Sequence, residues 1–230
     1  MKASDQVFAA LRDAIVGGEL ATGSRHSIYE LADRFGVSRT PVREAVLRLA
    51  DTGMVTVEKN RGVRIRGLSV VEIAEIFELR LLLEVPAARF AAAQADAALL
   101  DALVERLEAR IAGMQAAIAA DDVSAFLEHD RGLHDDILAG YANERMRRTV
   151  SALRDATQAM GASTMNRTRG LQEVEVEHLP VVAAIRARNA EAAASAMREH
   201  LERTARLLMR QMADVSGEPV PAAWPAPGRF

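Results

Sequence analysis

Four side chains in the second half of the chain have the types and spacing to hold a metal ion. Asp130 and His134 are four residues apart, so on a helix both leave from one face, one turn apart. His178 and His200 belong to two helical patterns, 171–188 and 190–213, which meet at Asn189 with little room for a loop. If these helices form an antiparallel hairpin, each histidine stands 11 residues from the turn. At ~1.5 Å per residue both then lie roughly 16 Å from it, at one height. One carboxylate and three imidazoles suit Zn²⁺, Ni²⁺, Mn²⁺ or Fe²⁺, with positions left open for water or a ligand oxygen. Spacing alone equally admits separate, partly buried histidines. His129 is a weaker candidate, because its neighbouring position turns it about 100° away from the Asp130 face. An open position on such an ion can also activate water, as in a metal-dependent hydrolase. No Glu or His presents itself as the general base that reaction needs.

A second constellation, Ser38-Arg39-Thr40-Pro41-Val42-Arg43, opens a helix. Ser38 is a good N-cap, and Pro41 falls in the first turn, where its missing N–H is harmless. Val42, Ala45, Val46 and Leu49 recur at helical spacing and face a core, which leaves Ser38, Arg39, Thr40 and Arg43 outward at the positive end of the helix dipole. Arg suits the guanine edge, and Thr suits a phosphate or a thymine methyl. A small bundle with a solvated basic face is the plainer reading of an Arg pair taken singly.

The elements that must position these groups can be read from periodicity. Ser4 and Ser27 can cap two helices ahead of the recognition-like one, the first ending at Gly17-Gly18 and the third near Thr52-Gly53. Met54–Glu58 and Gly62–Arg66 alternate around Lys59-Asn60-Arg61 and predict a β-hairpin with a basic tip, to which Arg64 adds charge. Three helices and a hairpin make a winged helix-turn-helix over 1–67. After a linker at Gly67-Leu68-Ser69, only helical patterns follow, at 69–94, 96–119, 121–139, 143–165, 171–188 and 190–213. Pro86 predicts a kink, and Pro180 a kink or a late helix start. The expected class is mainly α, a winged helix-turn-helix followed by an antiparallel helical bundle over 69–213. The Pro- and Gly-rich segment 214–230 is expected to be disordered.

Composition sets outer bounds. The chain has 230 residues, no Cys, 50% hydrophobic and only 4% aromatic residues. That excludes thiolate metal sites and disulfides. No apolar run is long enough to span a membrane, and no basic-then-apolar leader opens the chain, so a cytoplasmic protein is expected. The net charge of −3 divides unevenly: residues 1–67 hold 11 basic and 8 acidic side chains, and the remainder 18 and 24. The +3 half is the one that would neutralise phosphate.

Leu31-Ala-Asp-Arg-Phe-Gly-Val-Ser-Arg-Thr-Pro-Val-Arg-Glu-Ala-Val-Leu-Arg-Leu49, with Arg61-Gly62 in the wing, closely resembles the GntR family of bacterial transcription regulators. The resemblance implies that Arg39, Thr40 and Arg43 contact operator DNA and that Gly62 enters the minor groove. Departures are Thr22-Gly23 for Pro-Gly, His26 for a leucine, and Tyr29 where some members place a basic or polar DNA contact. In the second half, Arg80-x-x-x-Glu84-x-x-Ala87-Ala88, Asp130-x-x-x-His134, Glu177-His178 and His200-Leu201 resemble the all-helical ligand-binding (FCD) domain of the FadR-like subfamily. Leu133 stands where that pattern often has Phe. The resemblance implies a divalent metal on Asp130, His134, His178 and His200. It also implies a pocket for small carboxylic acids, and a homodimer that reads an inverted-repeat operator, in most cases as a repressor. Arg80, set among Ile76-Phe77 and Leu81-Leu82-Leu83, needs a partner: Glu84 or another acid, or the carboxylate of an effector. The Arg145-x-Arg147-Arg148 cluster reads as a solvated helix face. A regulator with a purely structural metal is the remaining reading.

Overall fold

The computed structural model describes residues 3–16, 19–21, 23–51, 53–59, 61–66, 68–159 and 169–225. The expected Gly17-Gly18 stop, Thr22, Thr52, Asn60, Gly67, the 160–165 end of one helix and the 226–230 end of the tail lie outside them. Two compact units emerge; among the described residues one carries those up to 70 with 155–159 and 212–219, the other 71–154, 169–211 and 220–225.

The first unit contains α1 (Ala3–Val16), β1 (Arg25–His26), α2 (Ile28–Arg34), α3 (Arg39–Asp51), β2 (Val55–Glu58) and β3 (Gly62–Ile65). Ser4 lies inside α1 and so does not cap it. Ser27 does cap α2: its hydroxyl accepts from the Glu30 N–H at 3.1 Å, and the Glu30 carboxylate accepts from the Ser27 N–H at 2.6 Å. A cap of this kind contributes about 1 kcal/mol. Val42, Ala45, Val46 and Leu49 of α3 are all buried, packed with Leu11 and Ile15 of α1, Leu31 of α2 and Val63 and Ile65 of β3. Each such Val, Ile or Leu stabilises the unit by roughly 1.5–3 kcal/mol, which holds the polar start of α3 outward. The sheet has three strands, in the order β1-β3-β2, where the sequence predicted two. β1 pairs only Arg25 with Arg64 and His26 with Val63, and a two-residue strand has no alternation to detect.

From residue 70 on the described elements are helices: α4 (Val70–Ala92), α5 (Ala97–Ala119), α6 (Val123–Gly140), α7 (Glu144–Ala159), α8 (Leu171–Arg186) and α9 (Ala190–Ser216); the first residue of α4 and the last residues of α7 and α9 fall in the first unit and the rest in the second. α5 packs against α6 and α8. Asp96 and Asp122 cap α5 and α6 through the Ala98 and Ala125 N–H groups, both at 2.9 Å. Neither proline ends its helix. α4 runs through Pro86 and α8 starts at Leu171, well ahead of Pro180. Both prolines are exposed, so water can satisfy the carbonyl each one frees. The tail also differs from expectation: α9 continues to Ser216, and Trp224 is buried with its carbonyl facing Arg206 at 3.5 Å. A large apolar ring can order a segment that composition alone marks as loose.

Candidate metal centre and DNA-reading surface

Three helices deliver the candidate ligands. On α6, Asp130 and His134 share the buried face with Phe126, Leu133 and Ile137. On α8, His178 is buried beside Val174, Val181 and Val182. Asn189 caps α9 through the Ala192 N–H at 3.0 Å and closes the α8–α9 turn. The equal offsets from that turn bring the His178 and His200 rings to 4.4 Å between centroids. One ring nitrogen from each of His134, His178 and His200 falls within 4.8 Å of the others. His178 Nε2 lies 3.2 Å from Asp130 Oδ1 and 3.4 Å from His134 Nε2.

The proton inventory fixes the tautomers. His178 Nδ1 faces the Val174 carbonyl at 2.8 Å, His200 Nδ1 faces a Glu177 oxygen at 3.1 Å, and His134 Nδ1 faces Glu84 Oε2. Carbonyls and carboxylates have no hydrogen to give, so each Nδ1 carries one and donates it. That turns the three Nε2 atoms inward, with His178 Nε2 between Asp130 Oδ1 and His134 Nε2. Imidazole nitrogens and a carboxylate oxygen converging so closely can share one cation. Ligands sharing one ion at about 2.1 Å sit roughly 3.0–3.4 Å apart, as His178 Nε2 does from Asp130 Oδ1 and from His134 Nε2. Burial, then Arg154, pushes His134 down to about 4, and burial holds His200 well below its ordinary value. His134 and His200 are therefore neutral at neutral pH, as ligation requires. Burial pushes Asp130 up, but Arg154 and then His178 outweigh it and keep the carboxylate ionised. The donor set fits a divalent cation, with oxygen and nitrogen ligands and no thiolate.

An outer layer, not anticipated as such from the sequence, supports these ligands. Arg80 is buried and donates from Nε to Glu84 Oε1 at 2.7 Å, with its guanidinium 4.7 Å from the Phe77 ring. Its charge thus has a protein partner, and through Glu84 it reaches His134. A parallel chain runs from buried Arg169 through Glu177 to His200, and Arg169 also donates to Thr204 at 2.8 Å. Arg154 pairs with Asp130 Oδ2. Glu84 and Glu177 sit inside the quoted motifs, whereas Arg154 has no sequence signal. His129 is apart from the set: its ring lies flush on Gly113, where an added Cβ would meet it at 2.3 Å.

In the first unit, Ser38, Arg39, Thr40 and Arg43 are exposed at the start of α3, as are Lys59, Arg61 and Arg64 on the wing. The Arg39 guanidinium stacks 4.2 Å from the centroid of the Tyr29 ring, which is 62% exposed. Gly62 has φ +92°, and a Cβ there would stand 2.5 Å from the His26 carbonyl oxygen. The closeness of β1 to β3 therefore requires this glycine, whatever nucleic acid does.

Known proteins agree with this division of labour. The family model described as "Bacterial regulatory proteins, gntR family" matches residues 3–65, and that described as "FCD domain" matches residues 75–203. The HTH-type transcriptional repressor RspR of Escherichia coli (strain K12) is 26% identical over 200 residues, 86% of each chain. The gluconate operon transcriptional repressor of Bacillus licheniformis is 32% identical over 133 residues, 58% of this chain and 53% of that protein. The crystal structure of a GntR regulator from Rhodococcus sp. RHA1 superposes with a TM-score of 0.63 at 23% identity, covering 90% of this chain and 97% of that one, and so shares the fold. These matches are to regulators, and the hydrolase alternative finds no support among them. With its FCD domain spanning more than half of the sequence, the chain belongs to the GntR family of bacterial transcription regulators.

Proposed function

We propose that this protein is a homodimeric, ligand-responsive regulator, most simply a repressor, that senses a small carboxylate at a divalent metal. The observation that carries the reading is the convergence of three buried histidines, with Asp130 3.2 Å from His178 Nε2, in a chain that also carries an exposed recognition helix. In this reading residues 1–67 are the DNA-reading domain and 69–213 the sensing and dimerising domain, in a cytoplasmic protein. Ser38, Arg39, Thr40 and Arg43 meet the major groove, and Arg61 and Gly62 follow the minor groove. Asp130, His134, His178 and His200 hold the ion, which would polarise a bound carboxylate oxygen. Arg80 serves this site through Glu84. Val71, Leu79, Leu82 and Phe90 of α4, 45–58% exposed, fall within about 100° of helix arc, interspersed with exposed Glu75 and Arg89, and offer a mixed face suited to a second copy. Effector binding favours one spacing of the two reading heads and so changes operator affinity.

The test joins three measurements on the full chain. Mobility shift with DNA from upstream of its own gene should show salt-sensitive sequence preference. Metal content should fall in His178→Ala/His200→Ala; unchanged content sinks the site. Acetate and butyrate should raise the melting temperature of the metal-loaded protein and lose that effect after chelation. A metal that binds with no response to any carboxylate would mark it as structural.

A further inference from the structure

We infer that the effector is a small dicarboxylate, bound in an arginine-lined cavity beside the ligand set; the inference rests on the sensing role proposed above. The cavity, about 320 Å³, is walled by α5, α6 and α7. That is the lower end of the range for small-molecule sites, so the occupant is small. Its lining includes Arg110, Arg131, Arg147 and Arg154 with Glu128 and Asp135, and His134 contributes to the wall; Asp136 and Asp130, just outside the lining, pair with Arg110 and Arg154.

The arginines are placed at two levels. Arg154 stands at the ligand end: Asp130 turns Oδ1 to His178 and gives Oδ2 to Arg154, which engages one arm of a five-donor fork. Arg147 precedes it by seven residues on α7, two turns or about 10 Å along the axis. Arg131, which donates to Ser151 Oγ at 3.4 Å, lies on α6 alongside the stretch between them. Among the described residues Arg147 pairs with half-exposed acids, Asp135 at 3.6 Å and Glu144 at 3.0 Å. Such pairs are worth little in water and yield readily to a ligand carboxylate. Arg110 is held by Asp136 at 2.9 Å, and Gly132 leaves room for it, since a Cβ there would stand 2.5 Å from its guanidinium carbon. A monocarboxylate satisfies the Arg154 end alone. A dicarboxylate of four to six carbons also neutralises the Arg147 end, with planar guanidinium forks matched to each carboxylate.

The experiment is calorimetric titration of metal-loaded full-length protein with succinate, adipate and butyrate, with metal content measured on the same samples. One of the dicarboxylates should bind at least tenfold more tightly than butyrate. Arg147→Gln, and independently Arg131→Gln, should bring that ratio close to one, with circular dichroism and metal content as in wild type. Arg154→Gln should weaken all three acids. Equal affinity for mono- and dicarboxylates, no binding of any of them, or a ratio unchanged in both single variants overturns the proposal. A dicarboxylate preference that survives chelation supports the arginine cavity while counting against the ion, so the two readings fail separately.

Discussion

At the scale of single residues, the candidate ligands were legible and the groups that hold them were not. A histidine announces itself by rarity, and Asp130 to His134 by a helical interval. Glu84 and Glu177 act across helices, on His134 and on His200, and no interval in the chain encodes that pairing. Their role is testable. Glu84→Gln removes the charge that orients His134 Nδ1 and leaves Arg80 buried without its carboxylate. Loss of such an outer-shell partner costs roughly 10–100-fold in metal affinity. Breaking the buried pair also destabilises by about 3–5 kcal/mol. Competitive chelation and urea unfolding should report both effects, and wild-type metal affinity in a folded variant would rule out the relay. Tyr29 makes a separate case. Its ring under Arg39 limits where the guanidinium can reach, so Tyr29→Phe should keep operator binding. Tyr29→Ala should lose about 0.5–1 kcal/mol, a few-fold in affinity, with looser base preference at the position Arg39 reads. Identical binding curves for the two variants would remove Tyr29 from recognition.

At the scale of elements, periodicity carried most of the reading. The α3 face Val42, Ala45, Val46 and Leu49, the Ser27 cap and the equal α8 and α9 offsets all follow from the spacing of side-chain types. What periodicity cannot see is backbone that depends on a distant partner. β1 exists because β3 is beside it. Pro86 and Pro180 stay helical because solvent, not a neighbouring helix, faces the freed carbonyls. Gly62 joins both lessons, since the family pattern assigns it to DNA while the sheet already demands it. Gly62→Ala must strain a φ of +92° and push against the His26 carbonyl. It should therefore lower the unfolding midpoint of the isolated change by more than a lost DNA contact explains, costing about 1–3 kcal/mol before any DNA is added. A variant as stable as wild type but weak on DNA would return the glycine to the minor groove alone.

At the scale of the whole molecule, buried charge and exposed apolar surface set the conditions under which it works. His134 is neutral in the folded chain down to about pH 4, whereas in the unfolded chain it titrates near 6.5. Below 6.5 the unfolded state binds more protons, so stability falls as pH falls from 6.5 toward 4, and His200, shifted the same way, adds to the slope. Melting curves across that window should show the decline, and His134→Gln should flatten it. The exposed α4 face sets the second condition. One recognition helix reads one half-site, so an inverted repeat needs two chains held together. Leu82 is 50% exposed at the middle of that face, where a charge costs the monomer little but is buried on association. Leu82→Glu should therefore leave the melting of each chain's core intact while converting dimer to monomer in sedimentation. The monomer should bind operator with about half the phosphate contacts, and the slope of log affinity against log salt should fall by about half. A Leu82→Glu dimer with the wild-type slope would place the interface on another face.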